Sequence, residues 1–345
     1  MSKPLISVVM AVYNAQSYLA EAIESILGQS VSDFEFLIID DASSDDSKQI
    51  IEDFAKSDPR IRLISKPENL GLGASLQKGV EEAKGEFIAR MDADDISLPK
   101  RFEKQLAYLD LHPEILALGG DHKLVDAQGK NFGELIYPKL PNRLRWNLLL
   151  GNGLIATHPA ALFRKEFFGR YGNYADLRAA QDFDLWSRTL FAQPFPIANI
   201  SEMVLAYRQT DEMITKANRS QQEQIAVERR AKNITALIGE DVDEDVVRAY
   251  RTTGLAYLNL EEIIATWQKV YLAFVERFNP SDEELAGINA EFFQRLSHYT
   301  FLNPFADGKN KRLNIFRLRK ILNRQVYKEL WQHKFRSFFS KRENG

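Results

Sequence analysis

The 345-residue chain has no cysteine, so neither a disulfide nor a thiolate-ligated metal site can form. That absence fits a reducing compartment. No uninterrupted apolar run reaches the roughly 18 residues that a membrane-spanning helix needs. The short run from Leu5 to Val12 is rich in β-branched residues, contains Ser7 and is followed by no small-residue cleavage site. It reads as a strand, not as the core of a signal peptide. Internal repeats and low-complexity tracts are also missing. Net charge is nearly absent, at -3, but it is unevenly spread. From Lys309 to Gly345 twelve Lys or Arg face two Glu, a balance of +10 that leaves -13 for the remainder.

What is present is an alternation of strands and helices. Leu5–Val12 and residues 34–40 and 86–91 are apolar runs of the kind that central parallel strands show. Residues 61–65 read as a shorter strand. Between these runs, Tyr18, Leu19, Ala22, Ile23, Ile26 and Leu27 recur at helical spacing, as do Ile50, Ile51 and Phe54. Ser43 and Ser44 stand where they would cap the second helix. A third helix is expected from Ala74 to Lys84, and a fourth from Pro99 towards His112. Strands are expected at 115–119 and 160–163, with an irregular stretch of about 120–157 between them, and Asp182–Phe191 reads as helical. The pattern predicts an α/β fold, a mostly parallel sheet covered on both faces. After about residue 215 four helices follow, at 221–238, 243–258, 261–278 and 281–299. The expected organisation is therefore 1–215 as an α/β domain, 216–305 as a helical region and 306–345 as a basic tail.

Acids collect where strands end. Asp40-Asp41 closes the second run, and Asp92-Ala93-Asp94-Asp95 closes the fourth. In open α/β sheets, ligands sit at the carboxyl ends of the strands. Carboxylates at i and i+2 past a strand suit Mg²⁺ or Mn²⁺, shared with a diphosphate. The plainer reading of a bare D-x-D is a solvated turn. Asp41 can accept from a base N–H or a ribose hydroxyl, or it can close an Asx-turn or cap a helix. Asp182, in Gln181-Asp182-Phe183-Asp184-Leu185-Trp186, can serve as a general base or cap a helix. Asp184 reads as a solvated or structural acid. His158 precedes Pro159, a setting that is more often structural than catalytic.

Taken in order, Ser7–Asn14, Ile39–Asp45, Asn69-Leu70-Gly71, Gly85–Asp95 and Gln181–Trp186 resemble family 2 glycosyltransferases, inverting enzymes of the GT-A fold. The resemblance spans about residues 4 to 210. It implies that Ala11, Val12 and Tyr13 line a nucleotide pocket, that Asp41 binds the base, and that Asp92, Ala93 and Asp94 meet the donor. It also implies that Asp94, with Asp92, holds Mn²⁺ or Mg²⁺, and that Asp182 is the catalytic base. His158, Trp186 and Arg208 are expected as acceptor or donor contacts. The partners so implied are a nucleoside-diphosphate sugar, UDP-linked by default, and a glycan or lipid-linked acceptor. Two positions depart from the family. Gln181 stands where Glu is frequent, and Tyr207-Arg208-Gln209-Thr210 replaces Tyr-Arg-x-His, so that metal ligand is absent or replaced by water.

Two alternatives are weighed against this reading. A sugar-1-phosphate nucleotidyltransferase would need a Gly-rich basic loop after the first strand, where this chain has Tyr13-Asn14-Ala15-Gln16. A non-catalytic scaffold of the same fold would not need Asp41, Asp92, Asp94 and Asp182 together. In the tail, aromatic and aliphatic residues from Phe316 to Phe339 alternate with Lys and Arg. Such a segment suits an anionic membrane surface or packs on its own domain. The expected location is cytoplasmic, with peripheral membrane contact through 309–341. No nucleic-acid motif is present.

Overall fold

A computed structural model describes residues 3–151, 155–156, 158–209, 219–251 and 259–301, together with Arg324, Val326 and Lys328. The remainder of the expected basic tail lies outside the described residues. Contacts divide the chain into two compact units. One comprises Met1–Leu144 with Leu154–Ala226, the other Arg145–Gly153 with Val227–Gly345.

The first unit is built on a nine-stranded sheet. β1 (Ile6–Val12), β2 (Phe34–Asp40), β3 (Ile61–Ser65) and β4 (Phe87–Asp92) run parallel in the order β3-β2-β1-β4. α1 (Leu19–Leu27), α2 (Ser47–Ser57) and α3 (Leu72–Glu82) are the crossovers. Beyond β4 the sheet becomes mixed. β5 (Ile96–Ser97) and α4 (Arg101–Leu111) lead into β6 (Ala117–Val125) and β7 (Asn131–Leu135). The start of α5 (Pro141–Leu149), whose residues from Arg145 on belong to the second unit, then β8 (Leu162–Arg164), α6 (Glu166–Tyr171), α7 (Gln181–Ser187) and β9 (Ile197–Arg208) complete the series. β8 pairs antiparallel with β4 and β6, whereas β9 runs parallel to β6.

Both faces of β1, β2 and β4 are buried, which is why these strands read as largely apolar runs. Ile6, Val8, Met10 and Val12 join Ala22, Ile23 and Ile26 of α1 and Phe102 and Leu109 of α4 in one core. Fully burying each such Ile or Leu contributes roughly 1.5–3 kcal/mol relative to exposure. On the other face α3 comes so close that a Cβ on Gly79 would sit 2.3 Å from Val9 Cγ1. Ser7, the one polar residue of β1, is fully satisfied. Its hydroxyl donates to Glu35 Oε1 at 2.6 Å and accepts from Gly85 N at 2.7 Å.

Several local expectations are corrected. The stretch 120–157 is not irregular: it holds the rest of β6, then β7 and α5. Ser43 and Ser44 do not cap α2. Ser47 N instead bonds Asp45 Oδ1 at 3.0 Å, and the two serines turn to Asn14. The helix at Gln181 ends at Ser187, and Asp182 lies inside its first turn.

The second unit is helical, with the remainder of α8 (Arg219–Ile238), then α9 (Glu244–Arg251), α10 (Leu260–Phe278) and α11 (Asp282–Phe301). Trp146, fully buried, is its aromatic centre. The rings of Tyr250, Tyr271, Phe274 and Phe292 meet it edge-on at 5.2–6.4 Å. Asn259 caps α10 by accepting from Glu261 N at 3.1 Å, and Asn279 ends it in a left-handed conformation at φ 43°.

Candidate active site

Register places the acids. Ala11 pairs with Asp92, and Val12 pairs with Asp40. Asp41 and Asp92 therefore end the strands on either side of β1, about 10 Å apart by strand spacing. The loop after β1 is tied to the loop after β2. Asn14 N, Ala15 N and Gln16 N donate to Ser43 Oγ, Ser47 Oγ and Asp45 Oδ2 at 3.1, 2.8 and 3.0 Å. Beside this frame Tyr13 is 46% exposed.

Asp40 takes the plainer of its roles, accepting from Ser43 N at 3.2 Å. Asp41 does more. Its carboxylate accepts from Leu70 N at 3.1 Å and Gly71 N at 2.8 Å, and Lys66 Nζ lies 2.7 Å away. It thus draws Asn69-Leu70-Gly71 over the end of β2. Ala42, the next residue, is held at φ 60°. Such a conformation in a non-glycine residue persists where the surroundings impose it, often at functional sites.

Asp92, Asp94 and Asp95 bring carboxylate oxygens within 4.8 Å of one another. Hard oxygen donors at this spacing fit Mg²⁺ or Mn²⁺. Burial, and then the Asp92 charge, push the Asp94 carboxyl up to about 6. Burial followed by both neighbouring acids pushes Asp95 well up too. The turn is fixed from β9. Arg208 N donates to Asp95 Oδ1 and Arg208 Nε to the Asp94 carbonyl, both at 2.8 Å. Its other nitrogens reach Asp126 O, Ala127 O and Glu21.

Asp182 stands two residues after Ala180, whose φ is 54°. It is half-buried. Burial raises its pKa, the Arg90 charge opposes that rise, and the Asp92 charge adds to it. Asp182, Arg90 and Asp92 thus share one electrostatic neighbourhood. Asp184, by contrast, is fully buried and paired with Arg188, which also holds Tyr171 O and Asn173 O.

His158, Trp186 and Arg208 do not face solvent. His158 Nε2 lies 2.9 Å from the Tyr174 hydroxyl, and burial keeps the imidazole neutral. Trp186 is 2% exposed and stacks on Phe163 at 5.4 Å. The side-chain nitrogens of Arg208 are taken by the protein. Sequence reasoning assigned no role to Lys66, Tyr174 or Arg90. Arg90 left a signal, as a charge in the middle of an apolar run.

A family profile described as Glycosyl transferase family 2 matches residues 7–172. An uncharacterized glycosyltransferase of Methanocaldococcus jannaschii is 36% identical over 210 residues, 60% of this chain and 72% of that protein. The chain belongs to glycosyltransferase family 2. The glycosyltransferase is also 34% identical over 212 residues to the putative glycosyltransferase EpsE of Bacillus subtilis, covering 60% and 74% of the two chains. It is 35% identical over 208 residues to the O-antigen biosynthesis glycosyltransferase WbnJ of Escherichia coli, covering 59% and 79%. In fold it is similar to S. aureus TarS 1-349 in complex with UDP-GlcNAc, with a TM-score of 0.57 at 19% identity over 85% of this chain and 86% of that one. The mannosyltransferase PcManGT of Pyrobaculum calidifontis, in complex with GDP-Man and Mn²⁺, aligns with a TM-score of 0.50 at 14% identity, covering 99% and 89%. The GT-A fold expected from the sequence is the one found.

Proposed function

We propose that this glycosyltransferase moves a sugar from a nucleoside-diphosphate sugar, UDP-linked by preference, to a hydroxyl of a glycan or lipid-linked acceptor. Asp182 takes the acceptor proton. The acceptor oxygen attacks the anomeric carbon as the bond to the phosphate oxygen breaks, and one displacement inverts the configuration. The observation that supports the reading is the cluster of Asp92, Asp94 and Asp95, whose carboxylate oxygens lie within 4.8 Å of one another, beside a half-buried Asp182 whose pKa is raised by burial. A raised carboxyl is a stronger base at neutral pH. Tyr13, Asp41 and the Leu70-Gly71 loop would hold the base. Asp94 and Asp92 would hold Mn²⁺ or Mg²⁺, which when bound stabilises charge on the leaving diphosphate. The names of WbnJ and of the solved relatives support a role in polysaccharide biosynthesis and a nucleotide-sugar donor.

Calorimetry with UDP and GDP, with and without Mn²⁺, tests this reading. Metal-dependent binding of one of them is expected, and binding indifferent to metal would remove Asp94 from its role. No described helix is long and apolar enough to cross a membrane. We assign peripheral contact with the inner face of the cytoplasmic membrane to residues 309–341. A 1–305 chain that binds anionic liposomes as well as the full chain would refute that assignment.

A further inference from the structure

β4 carries a charge where a buried strand ordinarily carries none. Arg90 is 3% exposed, two residues before Asp92 and on the same face of the sheet. Its Nη2 is paired with Asp92 Oδ1. Its Nε and Nη1 are buried and have no hydrogen-bond partner among the described residues. Unmet donors of this kind are costly, and a guanidinium fork matches the oxygens of a carboxylate or phosphate two at a time. Asp94, Asp95 and Asp182 also lie within reach of its charge, with Tyr174 and the neutral His158 as further neighbours. The other guanidinium at the site, that of Arg208, has every nitrogen engaged by protein groups. Of these two guanidiniums, that of Arg90 has donors to spare.

We propose that Arg90 makes cation binding at Asp92, Asp94 and Asp95 conditional on a diphosphate. While the guanidinium holds Asp92, it engages one of the two oxygens that this residue could offer a divalent cation and sets a positive charge beside the acids. A nucleoside diphosphate would offer phosphate oxygens to the spare N–H groups, and Asp92, released from the guanidinium, would be free to join Asp94 and Asp95 in holding the cation. The two ligands then bind as one unit. Arg90 is in this sense a positioning residue that sets the order of assembly. The inference rests on the nucleoside-diphosphate reading above.

The test is calorimetry on the full chain, as wild type, R90M and R90K, with Mn²⁺ alone and with UDP and GDP in the presence of Mn²⁺. Releasing Asp92 should let R90M bind Mn²⁺ alone about tenfold more tightly, while its diphosphate binding weakens about tenfold. The opposite signs decide the matter. A residue that only supports the fold would weaken both affinities or neither, and either result overturns the proposal. R90K keeps the charge but loses the fork, so its Mn²⁺ affinity should stay near wild type while diphosphate affinity falls. If R90M does not fold, an R90K diphosphate affinity equal to wild type overturns the proposal. A wild type that binds neither diphosphate, even with Mn²⁺, brings down the donor reading and this inference with it. The variant comparison strikes the inference alone.

Discussion

Lys66 Nζ lies 2.7 Å from Asp41 Oδ1, with side-chain exposures of only 10% and 4%. The same carboxylate accepts from two backbone amides of the loop before α3. One side chain therefore joins the end of β2, the residue after β3 and the loop that would cover a nucleotide base.

Removing the lysine strands a buried carboxylate that keeps only its amide partners. Lys66→Met should lower unfolding stability by about 1–3 kcal/mol. It should also weaken nucleoside-diphosphate binding, because the loop is held less firmly. Urea melts and calorimetry on the same variant check both effects. Unchanged stability would mean that the amides alone hold Asp41.

Asp182→Asn keeps the size of the side chain but cannot take a proton. Loss of a general base typically removes about 10²–10⁴ of the rate. Transfer should fall by that amount, while the Kd for the donor stays within about threefold. Near-wild-type transfer by the variant would exclude Asp182 as the base.

His122 is 1% exposed, and neither ring nitrogen has a partner among the described residues. Burial lowers its pKa to about 3, with the Arg101 and Lys139 charges acting in the same direction. In the unfolded chain a histidine takes up a proton below about pH 6.5. The folded protein does not, so the unfolded state gains as pH falls through that value. The cost is about 1.4 kcal/mol per pH unit for each such residue. Stability should therefore drop as pH falls from about 6.5 towards 3, and His122→Phe should reduce the slope over that window by about that amount. The phenyl ring keeps the packing against Tyr137 and Tyr207. Urea melts at several pH values check this. An unchanged slope would show that His122 titrates in the fold.

At Gly79 an added Cβ would also lie 3.0 Å from Ile39 Cδ1, besides its close approach to Val9. Gly79→Ala gains about 1 kcal/mol in helix propensity but overpacks the sheet, and the second effect should win by about 1–2 kcal/mol. A lower midpoint in thermal melts is expected, and a higher one would show that α3 moves out freely.

The central parallel strands β1, β2 and β4 were legible because they are buried on both faces and so are mostly apolar along their length. β9 was not. Its polar Ser201 and Glu202 are exposed and interrupt the run, and its register against β6 shifts nearby. β5 has two residues, too few for any periodicity. The serines after Asp41 carried a capping signature, but tertiary contacts with Asn14 claimed them. Asp184 and His158 match the plainer of their sequence readings: the first is paired with Arg188, the second buried against Tyr174.

The sequence by itself determined which residues end the apolar strands, because strand burial and turn chemistry are local and act through neighbouring residues. It thereby set Asp41, Asp92 and Asp94 at strand ends. The tertiary structure alone decided that β1 lies between β2 and β4, that Arg90 holds Asp92, and that Asp182, 90 positions further along the chain than Asp92, shares their field. Those relations depend on long-range strand pairing and on charges gathered in a partly buried site, and neither leaves a periodic mark in the chain.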